Sequence, residues 1–424
     1  MADIELSPAS STASLPSRVK AGDDWSRIIE GEIDARHADI YGLNQHIHSN
    51  PELAFEEHKA HDAFVAILRY LSFEVAPRSY GVDTAFTAEY GSGGRLVVYN
   101  AEYDALPNIG HACGHNLIAS ASFAAFLGVA AALKKSGQPG RVRLQGTPAE
   151  EGAGGKLKLL AAGAYEGVDA CLMVHPGPGH LLKEPVRSIA HVRMLANVKM
   201  SIHFTGREAH AAIAPWDGVN ALDAVCLSYN AISMLRQQIR PHERIHGIFR
   251  ATGTRPNVTP ANCTVEYYCR SDTRAHARQL WERVKKCFEG AALATGCDVR
   301  YEPINSYADL RPSTALCRAF VEAMPPGTAL YDYPVDMLAG STDMGDVTYA
   351  CPGFHAAFAL DTKHGEANHT KPFAAVAATQ DAFERAIACG KGMALVGWKV
   401  LTDDGFARQM KTEWEEDMKV ANAE

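Results

Sequence analysis

The sequence predicts an α/β protein in which an open, largely parallel sheet flanked by helices is interrupted by a smaller ferredoxin-like α+β insertion. Three observations lead there. Apolar runs at Arg95–Ala101, Arg141–Gln145 and Ala170–Val174 read as buried strands, each ending in polar residues. Helical periodicity fills the intervals, as in open α/β sheets, where ligands bind beyond the carboxyl ends of the strands. After about residue 190 the pattern becomes strand-helix-strand-strand-helix-strand, the ferredoxin-like order.

The elements follow in order. Trp25–Leu71 has helical spacing of Leu, Ile, Phe and Ala, broken at Ser49-Asn50-Pro51. A helix is expected from about Asn116. Its apolar stretch, Leu117–Leu133, stops at Lys134-Lys135 and falls short of membrane-spanning length, so it reads as a core helix. The third strand is expected to end at His175-Pro176. Met194–Phe204 alternates, Asp217–Arg236 is helical, and Glu243–Arg250 and Cys263–Ser271 alternate again. Thr273–Ala294 is helical and Cys297–Tyr301 is a last strand. Longer helical periodicity then returns, with loops expected at Gly340–Asp346 and Asp361–Pro372. The expected division is a loose tail over 1–23, a main domain over 24–190 and 305–424, and the insertion over 191–304.

At 424 residues the chain exceeds one ordinary core, which agrees with two domains. A hydrophobic share of 47% with 21% charged residues is that of a globular protein rather than a disordered or membrane one. A formal net charge of −8 gives no reason to expect nucleic acid as a partner. The ten cysteines have no repeated spacing and read as free thiols in a reducing compartment. The first residues lack the basic start and apolar centre of a signal peptide, so the expected location is cytoplasmic.

The chemistry concentrates in a few loops. Ala101–Asn116 packs Glu102, Asp104, His111, Cys113 and His115 among Gly and Pro, and the Cys113/His115 pair suits zinc or another borderline-soft divalent ion. Glu150-Glu151 follows the second strand, before Gly152-Ala153-Gly154-Gly155. Adjacent carboxylates on a turn can serve one as metal ligand and one as general base. The glycines do not make a phosphate loop, because Lys156 is followed by Leu157 rather than Ser or Thr. His175 ends the third strand, and a late histidine, His369 with His364 nearby, lies on a polar loop. Together with Cys113, His115 and Glu151, these exceed what one tetrahedral ion needs and suggest two ions sharing a ligand. His242-Glu243-Arg244-Ile245-His246 matches the H-E-x-x-H zinc pattern, which works only on a helix; here it enters a strand-like run. No Gly-x-Ser-x-Gly elbow appears in the sequence.

With these motifs assembled, the chain resembles the aminoacylase/carboxypeptidase-G type metallopeptidases, the twentieth metallopeptidase family. The resembling branch contains auxin-conjugate amidohydrolases, aminobenzoyl-glutamate hydrolase and β-alanyl-lysine dipeptidase. The likeness runs from about residue 40 to 395 and is carried by Glu102–Pro107, Gly110–Asn116, Thr147–Gly152, Gly206–Ala212, Pro215–Leu222, Gly340–Asp346 and Asn368–Thr370. The resemblance implies Cys113, His115, Glu151, His175 and His369 as ligands of two divalent ions, zinc first, with manganese or cobalt also suited. It implies Glu150 as the base toward water, Asp104 as the residue orienting a ligand histidine, and His210 as a donor to the developing oxyanion. That histidine often comes from the other subunit in relatives, so a homodimer through the insertion domain is expected. Asn257 and Arg270 match positions that hold the substrate end. Asn116 stands where many members of the broader branch have Asp, although its dipeptidase-like members resemble this chain there, and 182–191 departs from the family pattern and is expected on the substrate side.

The expected function is metal-dependent hydrolysis of a small amide or dipeptide, either an N-acyl amino acid or a β-alanyl-type dipeptide. Two alternatives remain at this stage: amide formation or acyl transfer at the same site, and a catalytically silent metal-binding scaffold. Neither a nucleic acid nor a membrane is expected as partner.

Overall fold

The computed structural model describes residues 24–332 and 338–423, so the expected tail over 1–23 lies outside the described residues. Its contacts divide into two units. The first runs to Arg193, resumes at Arg311 and again at Asp346; the second spans Met194–Leu310 and takes in a returning stretch that ends at Gly345.

The chain opens with α1 (Trp25–Ala35), α2 (His37–Ser49) and α3 (His58–Tyr70), then β1 (Val75–Pro77), β2 (Phe86–Ser92) and β3 (Leu96–Ala101). Next come α4 (His115–Ser136), β4 (Gly140–Gly146), α5 (Gly155–Ala161), β5 (Ala170–Pro178) and β6 (Ser188–His191). The second unit holds β7 (Ala196–Thr205), α6 (Ala221–Leu235), β8 (Arg244–Ala251), β9 (Asn262–Ser271), α7 (Arg274–Thr295) and β10 (Asp298–Tyr307). The remaining chain forms α8 (Thr314–Ala323), β11 (Ala329–Asp332), α9 (Met344–Ala350), β12 (Gly353–Leu360), α10 (Lys371–Ala377), α11 (Gln380–Thr402) and α12 (Asp404–Ala423).

The first unit is built on an eight-stranded sheet of order β1-β2-β4-β3-β5-β12-β6-β11. Its centre, β4-β3-β5-β12, is parallel, and β3 is buried at every residue, as expected for a strand covered on both faces. Parallel strands all end on one side, so the segments after β3 and β4 and the last part of β5 reach the same edge. That edge carries the predicted loops.

α4 lies in the core of this unit, packed on the sheet, α1, α2 and α11. Its 22 residues and hydropathy of 1.8 are enough to cross a membrane, which corrects the shorter run read from the sequence. The polar ends, His115-Asn116 and Lys134–Ser136, complete the helix. Since 94% of the apolar window is buried inside the fold, a core helix accounts for it. Close approach to α11 requires Gly390, where a Cβ would meet the Ala121 carbonyl oxygen at 2.8 Å. A larger residue there would push α11 off α4.

The second unit has an antiparallel sheet of order β10-β7-β9-β8, the ferredoxin-like arrangement, with α6 and α7 on one face. Period-two alternation along β9 buries Cys263, Val265, Tyr267, Cys269 and Ser271 and turns Glu266, Tyr268 and Arg270 to the other face.

Three boundaries differ from expectation. β5 continues beyond His175 to Pro178, because β12 pairs alongside it as far as Leu360. α6 starts at Ala221, where Asn220 caps it by accepting Leu222 N–H at 3.0 Å; Pro215–Asp217 is a separate short turn. α9 already begins at Met344, inside the stretch read as loop.

Candidate active site

Each functional side chain of the first unit is delivered by the end of a regular element. Cys113 precedes α4 and His115 is its first residue, separated by Gly114 in left-handed backbone at φ 76°. A Cβ on Gly114 would lie 2.5 Å from Pro176 Cγ, so this position admits only glycine without displacing the strand that carries His175. Glu150 and Glu151 follow β4 after Ala149, whose φ of 62° costs an L-residue about 1–2 kcal/mol. Glu57 Oε1 accepts Ala149 N–H at 2.8 Å, and Gly155 N–H reaches the Ala149 carbonyl at 3.0 Å, which holds the turn. His369, also left-handed at φ 67°, is fixed by its N–H donating to Ala112 O at 2.8 Å.

The side chains converge. Donor atoms of Cys113, His115 and His175 lie within 4.8 Å of one another, as do those of Cys113, Glu151 and His369, and those of His115, Glu150 and Glu151. Cys113 Sγ is 3.4 Å from His175 Nε2, and His369 Nε2 is 3.2 Å from Glu151 Oε1. His175 Nδ1 donates to the Pro176 carbonyl at 2.8 Å, leaving the Nε2 lone pair toward Cys113. His115 Nδ1 donates to Asp104 Oδ1 at 3.0 Å, leaving Nε2 toward Glu151 at 3.8 Å and Glu150 at 4.0 Å. Asp104 Oδ2 accepts Glu151 N–H at 2.9 Å, so one carboxylate orients the imidazole and the glutamate loop together.

This donor set fits divalent metal. His115 Nε2 is buried without a hydrogen-bond partner, a costly arrangement unless something else satisfies it, and buried Glu151 Oε1 has imidazole nitrogens beside it, His369 Nε2 at 3.2 Å and His115 Nε2 at 3.8 Å. Thiol, imidazole and carboxylate are the ligand types zinc accepts. Glu150 shares the His115 group with Glu151, but Glu151 alone also reaches Cys113 and His369.

The electrostatics follow from crowding. Burial pushes the Cys113 thiol up and the His175 imidazole down. Burial also pulls on His115, but the Asp104 charge and hydrogen bond outweigh it and hold the ring well above its usual value. Glu151 is lowered: burial opposes this, while His369 and His115 prevail.

His210, Asn257 and Arg270 belong to the second unit. His210 Nδ1 accepts N–H of Ala212 and Ile213 at 3.2 Å each, which makes Nε2 the protonated nitrogen. Asn257 sits on the neighbouring loop, its carbonyl accepting Ala211 N–H at 3.1 Å. Arg270 donates to Ser341 Oγ at 2.8 Å and to His246 Nε2 at 3.2 Å. The H-E-x-x-H match is not a metal site. His246 lies on β8 and serves Arg270, while His242 Nε2 is 3.2 Å from Asp272.

Sequence reasoning passed over Glu57 and His355. His355, on β12, is buried with its ring centroid 5.3 Å from that of His175. Neither carries a motif, and only tertiary packing brings them to the site.

A sheet edge bearing these donors defines a metallohydrolase-like centre, and comparison with known proteins places it. Residues 98–392 match peptidase family M20/M25/M40. The chain is 36% identical over 399 residues to the Xaa-Arg dipeptidase of Mus musculus, with 90% of each chain covered. It is 32% identical over 316 residues to one of the p-aminobenzoyl-glutamate hydrolase polypeptides of Escherichia coli, covering 70% of this chain and 64% of that one. Among solved structures it resembles a Bacillus subtilis dinuclear metal binding peptidase, 21% identical with a TM-score of 0.62, covering 87% of this chain and 99% of that one; at that identity the likeness concerns the fold. The chain therefore belongs to peptidase family M20/M25/M40. It is a hydrolase acting on amide bonds.

Proposed function

We propose that this protein is a dipeptidase-type amidohydrolase in which Cys113, His115, Glu151, His175 and His369 hold two divalent ions. The observation that carries the reading is the convergence of those donor atoms around the buried His115 Nε2, which has no hydrogen-bond partner. When bound, the ions would polarise the scissile carbonyl and acidify water, with zinc the first expectation and manganese or cobalt also suited.

The protein groups divide the remaining work. Glu150, nearly buried beside His115, takes the proton of the attacking water and returns it to the leaving nitrogen. Asp104 keeps His115 in the tautomer with a free Nε2. His210 offers Nε2–H to the developing oxyanion, and Arg270 and Asn257 receive the substrate end, with the guanidinium suited to a carboxylate. The mouse relative's name, Xaa-Arg dipeptidase, favours a dipeptide with a basic C-terminal residue.

A homodimer through the second unit is part of the proposal. β8 is an edge strand with exposed Ile248 and Phe249, and Leu227 and Tyr229 are exposed on α6, an apolar surface suited to a second copy. The ten free cysteines support a reducing, cytoplasmic setting.

The test is cleavage of a dipeptide and N-acyl amino acid panel by metal-loaded protein, read by mass spectrometry, with Glu150→Gln alongside. Glu150→Gln is expected to keep its metal and lose roughly 10²–10⁴ in turnover. Wild-type turnover in that variant would overturn the role of Glu150. Light scattering tests the dimer, and a fully active monomer would refute it.

A further inference from the structure

Two buried charges beside the metal ligands have no part in the chemistry above. Lys156, in the first turn of α5, has no exposed surface, and neither has Glu102, which directly follows β3. Lys156 Nζ lies 2.5 Å from Glu102 Oε1. The other oxygen, Glu102 Oε2, has no hydrogen-bond partner and stands 3.5 Å from His115 Nε2. Asp104, two residues further on, meets Nδ1 of the same ring at 3.0 Å. The His115 imidazole is thus held between two carboxylates from one strand end, and Glu102 is anchored from behind by a buried cation. Lys156 also follows the loop of Glu150 and Glu151, so the pair ties that loop to the end of β3.

A carboxylate inside a protein is strongly disfavoured without an opposing charge, and Lys156 supplies one. Fixing one carboxylate oxygen also fixes the direction of the other. We propose that Lys156 is a positioning residue for the metal centre. It pins Glu102 so that Oε2 stands as a fixed negative charge beside His115 and does not turn into the cluster as an extra ligand. This rests on the metal-binding reading above and adds to it a residue that touches neither substrate nor metal.

Lys156→Met and the charge-neutral double variant Glu102→Gln/Lys156→Met test it. Zinc affinity is measured by competition with a chelating dye, Co²⁺ absorption reports ligand geometry, and thermal melting of metal-stripped protein reports folding. Zinc affinity is expected to fall roughly 10- to 100-fold in the double variant, which loses the negative charge beside His115, and to rise in Lys156→Met as the freed Glu102 carboxylate enters the cluster. The Co²⁺ bands of Lys156→Met are expected to change as Glu102 is released, whereas the double variant keeps the wild-type band shape. Wild-type zinc affinity and Co²⁺ bands, with only the melting temperature lowered, would reduce the pair to a structural ion pair and overturn the proposal. If Lys156→Met does not fold, the double variant decides, and wild-type affinity there is the overturning result. Wild-type protein that takes up no divalent ion would overturn the metal reading itself, and this proposal with it.

Discussion

Asp104→Asn tests the carboxylate that joins the two halves of the ligand cluster. Asp104 is 1% exposed and accepts two hydrogen bonds, from His115 Nδ1 at 3.0 Å and from Glu151 N–H at 2.9 Å. Asparagine keeps the shape, but its single carbonyl oxygen can serve one of these donors, and its amide N–H₂ must face the other. A hydrogen bond to a charged group contributes about 1.5–3 kcal/mol, so metal-free Asp104→Asn is expected to lose about 3 kcal/mol of stability. The second effect is on the metal. An amide N–H₂ opposite His115 Nδ1 favours the tautomer protonated on Nε2, the nitrogen that faces Glu150 and Glu151. Metal affinity should then drop about 10- to 100-fold, or about 1.4–2.8 kcal/mol. Chelator competition and urea denaturation of the stripped protein give the two numbers separately. Lost stability with metal affinity within about twofold of wild type would refute the tautomer argument.

Three further expectations follow from charge and burial. Burial, then the Asp104 charge, raises the Glu57 carboxyl from 4.5 to about 7, so the folded state holds a proton that the unfolded chain has released, and stability falls as pH rises through that window. Glu57→Gln keeps an acceptor for Ala149 N–H and removes this slope. Metal-free variant should gain up to about 3 kcal/mol on wild type at pH 8 relative to pH 5, and an unchanged pH difference in urea denaturation would refute it. Because burial pushes the Cys113 thiol up, metal uptake near pH 7 should expel its proton; calorimetry in buffers of different ionisation enthalpy should show that release missing from Cys113→Ser. Arg270→Met should raise KM about tenfold or more for a dipeptide with a free carboxylate and leave the matching C-terminal amide unaffected.

Much of the catalytic unit is legible in the sequence because its candidate metal ligands sit in short, polar, glycine-rich segments at strand ends. Cys113, His115, Glu150 and Glu151 stand out there against apolar strands. The ferredoxin-like order is legible from alternating and helical stretches in turn, and β9 keeps period two over its whole length. What escapes depends on contacts distant in sequence. Glu57 lies on the approach to α3, 92 residues before the Ala149 N–H it accepts, and has no neighbouring signal. Ala149 and His369 adopt left-handed backbone that their side chains do not advertise, because the hydrogen bonds compelling it come from elsewhere. Both ends of α4 are legible to within one residue, since Lys134 and Lys135 occupy its last turn, where a helix accepts cations well.

His115 and His369 differ sharply in accessibility. The His115 side chain has no exposed surface and begins a helix threaded through the core, whereas the His369 side chain is 56% exposed on a loop. For the proposed ion pair this means a fixed floor and an open rim. An ion at the floor would exchange slowly because its ligand is locked into α4, and one at the rim would exchange faster because His369 lies on an exposed loop. Loading and loss would then be sequential, and a half-filled protein would be a lasting species rather than a fleeting one. Which element occupies the rim would follow from what the surroundings supply, while the floor keeps whatever was present when the chain folded.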